Sequence, residues 1–193
     1  MGQDISIVLV AKKLPDKVLV DAAKTAFATE PPDNLVLLVA KKGPPSIAKA
    51  MPSFTAVSLW ADSEADLKQF AVALSEAVDR CLVFTMADHA CVGGWQAFED
   101  GKPCDGEWVE GDGYTDAGIH GIEAAFQVNL DTEDDEATFF AESFLDEPSG
   151  LCVFGSAKGL RSGKPVSSRL VAAMLEFDLP DAELECVLLV GDE

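Results

Sequence analysis

The sequence has few basic residues and no long apolar run. Among 193 residues there are 14 lysines and arginines against 34 aspartates and glutamates, a formal net charge of −20. Phosphate binding needs a basic face, so this charge argues against a nucleic-acid partner. No apolar run approaches the roughly 20 residues of a membrane span. The N-terminal residues lack the charged, apolar and small-residue pattern of a secretory signal, so we expect no such signal. We therefore expect no membrane association and a cytoplasmic location.

Histidines are also scarce, and the cysteines lack metal-binding spacing. His89, Cys91 and Cys104 bracket a predicted hairpin and could converge, with Asp88, on a zinc ion. A zinc-deaminase motif is excluded, because Cys91 stands where its catalytic glutamate belongs. Since no Cys-x₂-Cys pair occurs, we predict no metal and no other cofactor, with these residues as the alternative zinc site. The odd count of five cysteines favours reduced thiols.

The first 88 residues alternate between strand-like and helix-like patterns. Short apolar, β-branched runs alternate with two amphipathic segments in the order β-α-β-β-α-β. In the second segment, Leu67, Phe70, Leu74 and Val78 form a stripe at helical spacing. This order predicts a split βαβ, ferredoxin-like unit with both helices on one face of the sheet. Because the strands are apolar at nearly every position, we expect the sheet to be covered on both faces.

The second part, residues 89–193, has a less regular pattern. A β-hairpin is predicted around Asp100-Gly101, followed by a Gly/Asp loop over residues 110–118. Further helices are predicted at 132–145 and 165–177, and strands at 151–154 and 184–190. The predicted fold class is α+β, a mixed β-sheet flanked by helices. No long linker separates the two parts, so we predict a single compact domain over 1–193, with 1–88 and 89–193 as possible subdomains.

Negative charge is concentrated in the middle of the chain. Residues 99–147 hold 16 acids and one base, Lys102. One interpretation is a solvated surface that keeps the protein soluble; the other is a docking face for a basic partner. Glu133, Asp134, Asp135 and Glu136 are the candidate docking residues. An irregular cation site in the Gly/Asp loop is a third interpretation, although the loop does not follow the EF-hand register.

A basic, Gly-rich loop follows the predicted strand at 151–154. Its four basic residues, Lys158, Arg161, Lys164 and Arg169, are candidates for binding an anion at the start of the next helix. The loop does not match a Walker A motif, because Pro165 stands where serine or threonine is required.

These observations favour a non-enzymatic interaction module, similar in kind to inhibitor or immunity proteins, that binds a basic protein partner. The alternative is a small enzyme or ligand binder that recognises an anionic group through the loop at 155–169. The first function predicts a flat acidic face over residues 99–147 and no deep pocket. The second predicts a cleft in which Lys158, Arg161 or Lys164 meets His89 or His120.

Overall fold

A computed structural model of the chain describes residues 4–28, 34–40, 45–60, 64–130, 150–155 and 185–189. Within these residues the strands are β1 (Asp4–Val10), β2 (Asn34–Ala40), β3 (Thr55–Trp60), β4 (Cys81–Ala87), β5 (Val92–Glu99), β6 (Lys102–Glu110), β7 (Gly150–Gly155) and β8 (Glu185–Leu189). The α-helices are α1 (Asp16–Ala26), α2 (Pro45–Ala50), α3 (Glu64–Ala77) and α4 (Ala117–Phe126). Two short 3-10 turns span Asp88–Ala90 and Tyr114–Asp116.

The eight described strands form one sheet in the order β6-β5-β4-β1-β3-β2-β7-β8. Neighbouring strands are antiparallel, except for β7 and β8, which run parallel. It follows that β1 and β2 run in the same direction with β3 between them. The predicted α+β class, a mixed sheet with flanking helices, is confirmed.

One face of the sheet is covered by α1 and α3, and we call it the α1/α3 face. The four residues of the predicted stripe, Leu67, Phe70, Leu74 and Val78, are all buried on this face, which confirms the stripe. They pack with buried side chains of α1 and with alternate residues of the central strands. Because successive strand residues point to opposite faces, the remaining apolar strand residues must be covered from the other side.

The opposite face, which we call the α4 face, carries a second apolar cluster. Ile119 and Ile122 of α4 pack there with Ile7, Leu82 and Phe84 from the central strands. The centre of the sheet is thus buried on both faces, as the continuous apolar runs predict.

Two helices depart from the sequence prediction. α2 lies between β2 and β3, where no helix was predicted. Its first residue is Pro45, and proline fits the first turn because no N–H partner is needed there.

α4 begins at Ala117, inside the predicted Gly/Asp loop. Gly118 and Gly121 lower its intrinsic helix propensity. A Cβ at Gly121 would lie 2.5 Å from Cγ of Trp95, so these glycines permit close helix–sheet packing, and packing outweighs propensity.

The later elements are described in part. β7 and β8 form where strands are predicted at 151–154 and 184–190. The predicted helices at 132–145 and 165–177 lie outside the described residues. None of the described helices has the length and apolar character needed to cross a membrane.

Candidate functional site

Two sets of predicted site residues lie outside the described residues. They are the anion-binding candidates Lys158, Arg161, Lys164 and Arg169, and the docking candidates Glu133, Asp134, Asp135 and Glu136. The strand that precedes the basic loop is described as far as Gly155.

The three candidate zinc ligands are described, and the structure does not bring them together. His89 lies in the 3-10 turn between β4 and β5, and exposed Cys91 follows it. Exposed Cys104 lies on β6 near the bulge opposite Ala97/Phe98, at the far end of the hairpin. About six residues of strand, at about 3.3 Å each, separate the two cysteines by roughly 20 Å. Across the described ranges, no three His, Cys, Asp or Glu residues are grouped to hold a metal ion. The prediction that the protein carries no zinc awaits elemental analysis.

The site that the structure does build lies on the hairpin of β5 and β6 with its following turn, residues 92–116, which we call the acidic hairpin. It contains seven acidic residues and one basic residue, Lys102. The turn consists of Asp100 (φ 49°) and Gly101 (φ 74°), the left-handed pair that a two-residue hairpin favours. The N–H of Gly101 donates to Oγ of buried Ser75 at 3.0 Å, which ties the turn to α3.

β6 is an edge strand of the described sheet. All of its residues are exposed except Val109, which is half-buried. The N–H of Gly111 donates to the carbonyl of Cys91 at 2.8 Å. The N–H groups of successive residues in an antiparallel strand point to opposite sides of the strand. Since the N–H of Gly111 points towards β5, those of Glu110 and Trp108 point away from it. β6 therefore presents backbone donors and acceptors on its outer side.

An open groove of about 350 Å³ lies on the α1/α3 face between α3 and β6. Lys68 of α3 forms one wall and Trp108 of β6 the other. The floor includes Thr85 of β4 together with Gly94 and Gln96 of β5. This volume falls within the range of ordinary small-ligand sites.

Trp108 is held against the sheet by a glycine. It is 53% exposed, the one large hydrophobic side chain among the described residues that is exposed. Gly94 lies directly opposite it in the β5–β6 register. A Cβ at Gly94 would collide with the indole, with Cζ3 3.0 Å away, so the ring lies over the glycine backbone. Such cross-strand contact limits the ring's freedom and leaves part of its surface open to the groove.

The floor of the groove is polar, although most of this face is apolar. Thr85 is half-buried, and its Oγ1 accepts a hydrogen bond from Ser6 Oγ at 3.3 Å. Gln96 is half-buried as well, one row along the same face. Glu110 lies two residues beyond Trp108 on β6 and shares its face of the strand. The groove thus combines an aromatic surface with side-chain oxygens that can accept hydrogen bonds.

One acid of the hairpin is already paired. Arg80 Nη2 lies 2.9 Å from Glu99 Oε2, while Nη1 donates to the carbonyl of Ala125 at 3.0 Å. The hydrogen bond to Glu99 raises the pKa of the Arg80 guanidinium above its ordinary value. This pair connects α4 to β5, so Glu99 contributes to the structure of the hairpin.

The groove residues Thr85, Gln96 and Trp108 were not among the predicted site residues. The sequence of β6 contained one signal for the groove. From Asp105 to Glu110, both faces of the strand carry acidic residues or glycine, and the two exceptions are Trp108 and Val109. A strand with no continuous apolar face is typical of a sheet edge. The pairing of Trp108 with Gly94 depends on the register between β5 and β6, which the sequence pattern does not determine.

Comparisons with protein-family models, curated proteins and solved structures found no match to this chain. The function must therefore be inferred from the chemistry and geometry of the site.

Proposed function

We propose that the protein is a non-enzymatic binding module that docks an extended, basic segment of a protein partner along the outer side of β6. The observation that carries this proposal is an exposed nine-residue edge strand on a hairpin with seven acids and one base. No described strand covers that side of β6.

Strand addition would supply the affinity. An extended peptide that pairs with a sheet edge gains main-chain hydrogen bonds, and its alternate side chains select the partner. The outward N–H groups of Trp108 and Glu110 are available for such pairing. Pro103 and Asp105 limit the docking length, since proline has no N–H and Asp105 Oδ1 accepts the N–H of Gly106 at 2.9 Å.

Charge would supply the selection for a basic partner. Asp105, Glu107 and Glu110 on β6 are exposed, and Asp112 follows in the turn. Complementary charge mainly accelerates association and disfavours acidic competitors. At physiological salt such a field is screened within about 8 Å, so the affinity should fall as salt rises. The proposal keeps a docking role for four further acids that lie outside the described residues, Glu133, Asp134, Asp135 and Glu136.

We further propose that residues 1–88 form a split βαβ unit of the ferredoxin-like type. The strand order β4-β1-β3-β2 supports this, as does the packing of α1 and α3 on one face. The alternative function, anion binding by the loop at 155–169, has no observation among the described residues that favours it.

A matched pair of variants tests the edge docking. The probe is a fluorescent peptide of alternating lysine and threonine, with a glutamate–threonine peptide as the control for charge. Glu110→Gln removes one charge and keeps the outward N–H, whereas Glu110→Pro removes both. We expect the lysine peptide to bind at low salt, and Glu110→Pro to weaken binding several-fold more than Glu110→Gln, since each net hydrogen bond contributes about 1 kcal/mol. No binding of the lysine peptide, or equal binding by the two variants, would contradict docking at this edge.

A further inference from the structure

We propose that the groove beside Trp108 holds one arginine side chain of the docked segment. This rests on the proposed function, because the arginine would come from the basic strand paired with β6. The supporting observation is an indole that is 53% exposed and packed over Gly94, next to hydrogen-bond acceptors on the acidic hairpin.

The indole offers the right surface for a guanidinium. Tryptophan is the best aromatic partner for a cation, and arginine, being planar, is the cation that stacks on it most often. Trp108 is packed over Gly94, so its orientation is set before a ligand arrives. A ligand therefore loses little affinity to ordering of this side chain.

The groove also offers acceptors suited to the guanidinium N–H groups. Arginine has five such donors and no acceptor. Gln96 of β5, whose side chain has an amide oxygen, lies on the floor, and Glu110 lies on the same face of β6 as Trp108. Lysine has a compact, strongly hydrated ammonium and cannot use a flat ring and several spread acceptors in the same way.

The geometry of strand addition brings a side chain to this position. A strand paired with β6 would lie about 4.8 Å beyond it, with alternate side chains on the α1/α3 face. A long side chain on that face would lie beside Trp108 at the open end of the groove.

A guest-residue series tests this assignment. The host is the alternating lysine–threonine peptide, with arginine, lysine or citrulline at its central position; citrulline keeps the planar shape without the charge. We expect the arginine guest to bind about three- to tenfold more tightly than the lysine guest, as a cation–π contact implies. Trp108→Leu should reduce this ratio to about one. Because Trp108 is half-exposed, this variant should stay folded, which thermal unfolding checks.

Three further variants identify the ligand chemistry. Glu110→Gln, on the groove face of β6, should lower the arginine preference, whereas Asp112→Asn, in the exposed turn after β6, should weaken all three peptides equally. Lys68→Gln should tighten binding of the arginine guest, because it makes the net charge of the groove lining more negative. If Lys68→Gln weakens binding, the groove takes an anionic group and the proposal is wrong.

The outcomes separate this inference from the proposed function. If the arginine and lysine guests bind equally and Trp108→Leu has no effect on their ratio, strand docking stands and the arginine assignment fails. Equal binding of citrulline and arginine would also overturn it, since a neutral planar group would then suffice. If none of the peptides binds at low salt, the proposed function itself fails.

Discussion

Raising the pH above about 9 should destabilise the folded protein through one buried thiol, Cys81. Its side chain is fully buried beneath α3, and its Sγ donates a hydrogen bond to the carbonyl of Ala71 at 3.3 Å. Burial raises the pKa of this thiol from its ordinary value of 9.0 to about 12. Burial penalises the thiolate in the folded state, whereas the unfolded chain exposes it to water.

The sign and size of the effect follow from proton linkage. Below pH 9 the thiol is protonated in both states, so its contribution is fully present. Between 9.0 and about 12 the unfolded chain loses the proton and the folded chain keeps it, so stability falls as the pH rises. The slope approaches about 1.4 kcal/mol per pH unit only above pH 9, where the unfolded thiol is ionised. Raising the pH from about 8 to about 10 covers about one such unit and should cost roughly 1 kcal/mol through this group.

Urea unfolding of the wild type and Cys81→Ala, under reducing conditions at both pH values, isolates this contribution. Other titrating groups are shared by the two proteins, so they cancel when the pH-induced changes in unfolding free energy are compared. The alanine variant will be less stable at both pH values because it leaves a small cavity. It should, however, lose about 1 kcal/mol less on going to the higher pH. Equal losses in the two proteins would refute a buried, protonated Cys81.

Two other substitutions test the core. Thr55→Val should lower the free energy of unfolding by about 1–3 kcal/mol, because the buried hydroxyl accepts the N–H of Leu14 at 2.8 Å and donates to the carbonyl of Lys12 at 2.9 Å. Thr55→Ser keeps the hydroxyl and should retain most of this stability. Equal urea midpoints for the valine and serine variants would contradict the role of these hydrogen bonds. Gly121→Ala should cost about 1–3 kcal/mol despite the better helix propensity of alanine, because the new methyl would lie 2.5 Å from Cγ of Trp95. A raised melting temperature would show that α4 does not pack this closely.

Much of the first half of the fold was predictable because its signals are local. The stripe from Leu67 to Val78 marks the buried side of α3 through its period alone. The apolar runs of β1 to β4 likewise indicate strands that are buried on both faces. Such patterns need only neighbouring residues, so they survive without knowledge of the tertiary structure.

α4 was missed because its local and long-range signals disagree. Gly118 and Gly121, after a segment rich in glycine and aspartate, are typical of a loop. In the folded protein they are the positions where the helix lies against Phe84 and Trp95. The close approach that favours glycine is visible only when the sheet is present beneath the helix.

The candidate site was predictable in its charge and not in its geometry. The excess of acids over 99–147 is a property of composition, and it indicates a basic partner as one function. The exposure of Trp108 follows from the edge position of β6, and the groove requires Gly94 to lie opposite that ring. Neither edge position nor register is encoded in a short stretch of residues.

The sequence by itself determined the α+β class, the amphipathic faces of the early helices and the location of the negative charge, because each depends on residue type and local spacing. Only the tertiary structure decided the order of the strands, the close packing of α4 and the groove between Lys68 and Trp108. These features arise where residues far apart in the chain meet, as Thr85, Gly94 and Trp108 do across three strands. Such contacts are determined by hydrogen-bond register and side-chain packing. Because register and packing form between secondary-structure elements, they cannot be predicted from any single segment of the sequence.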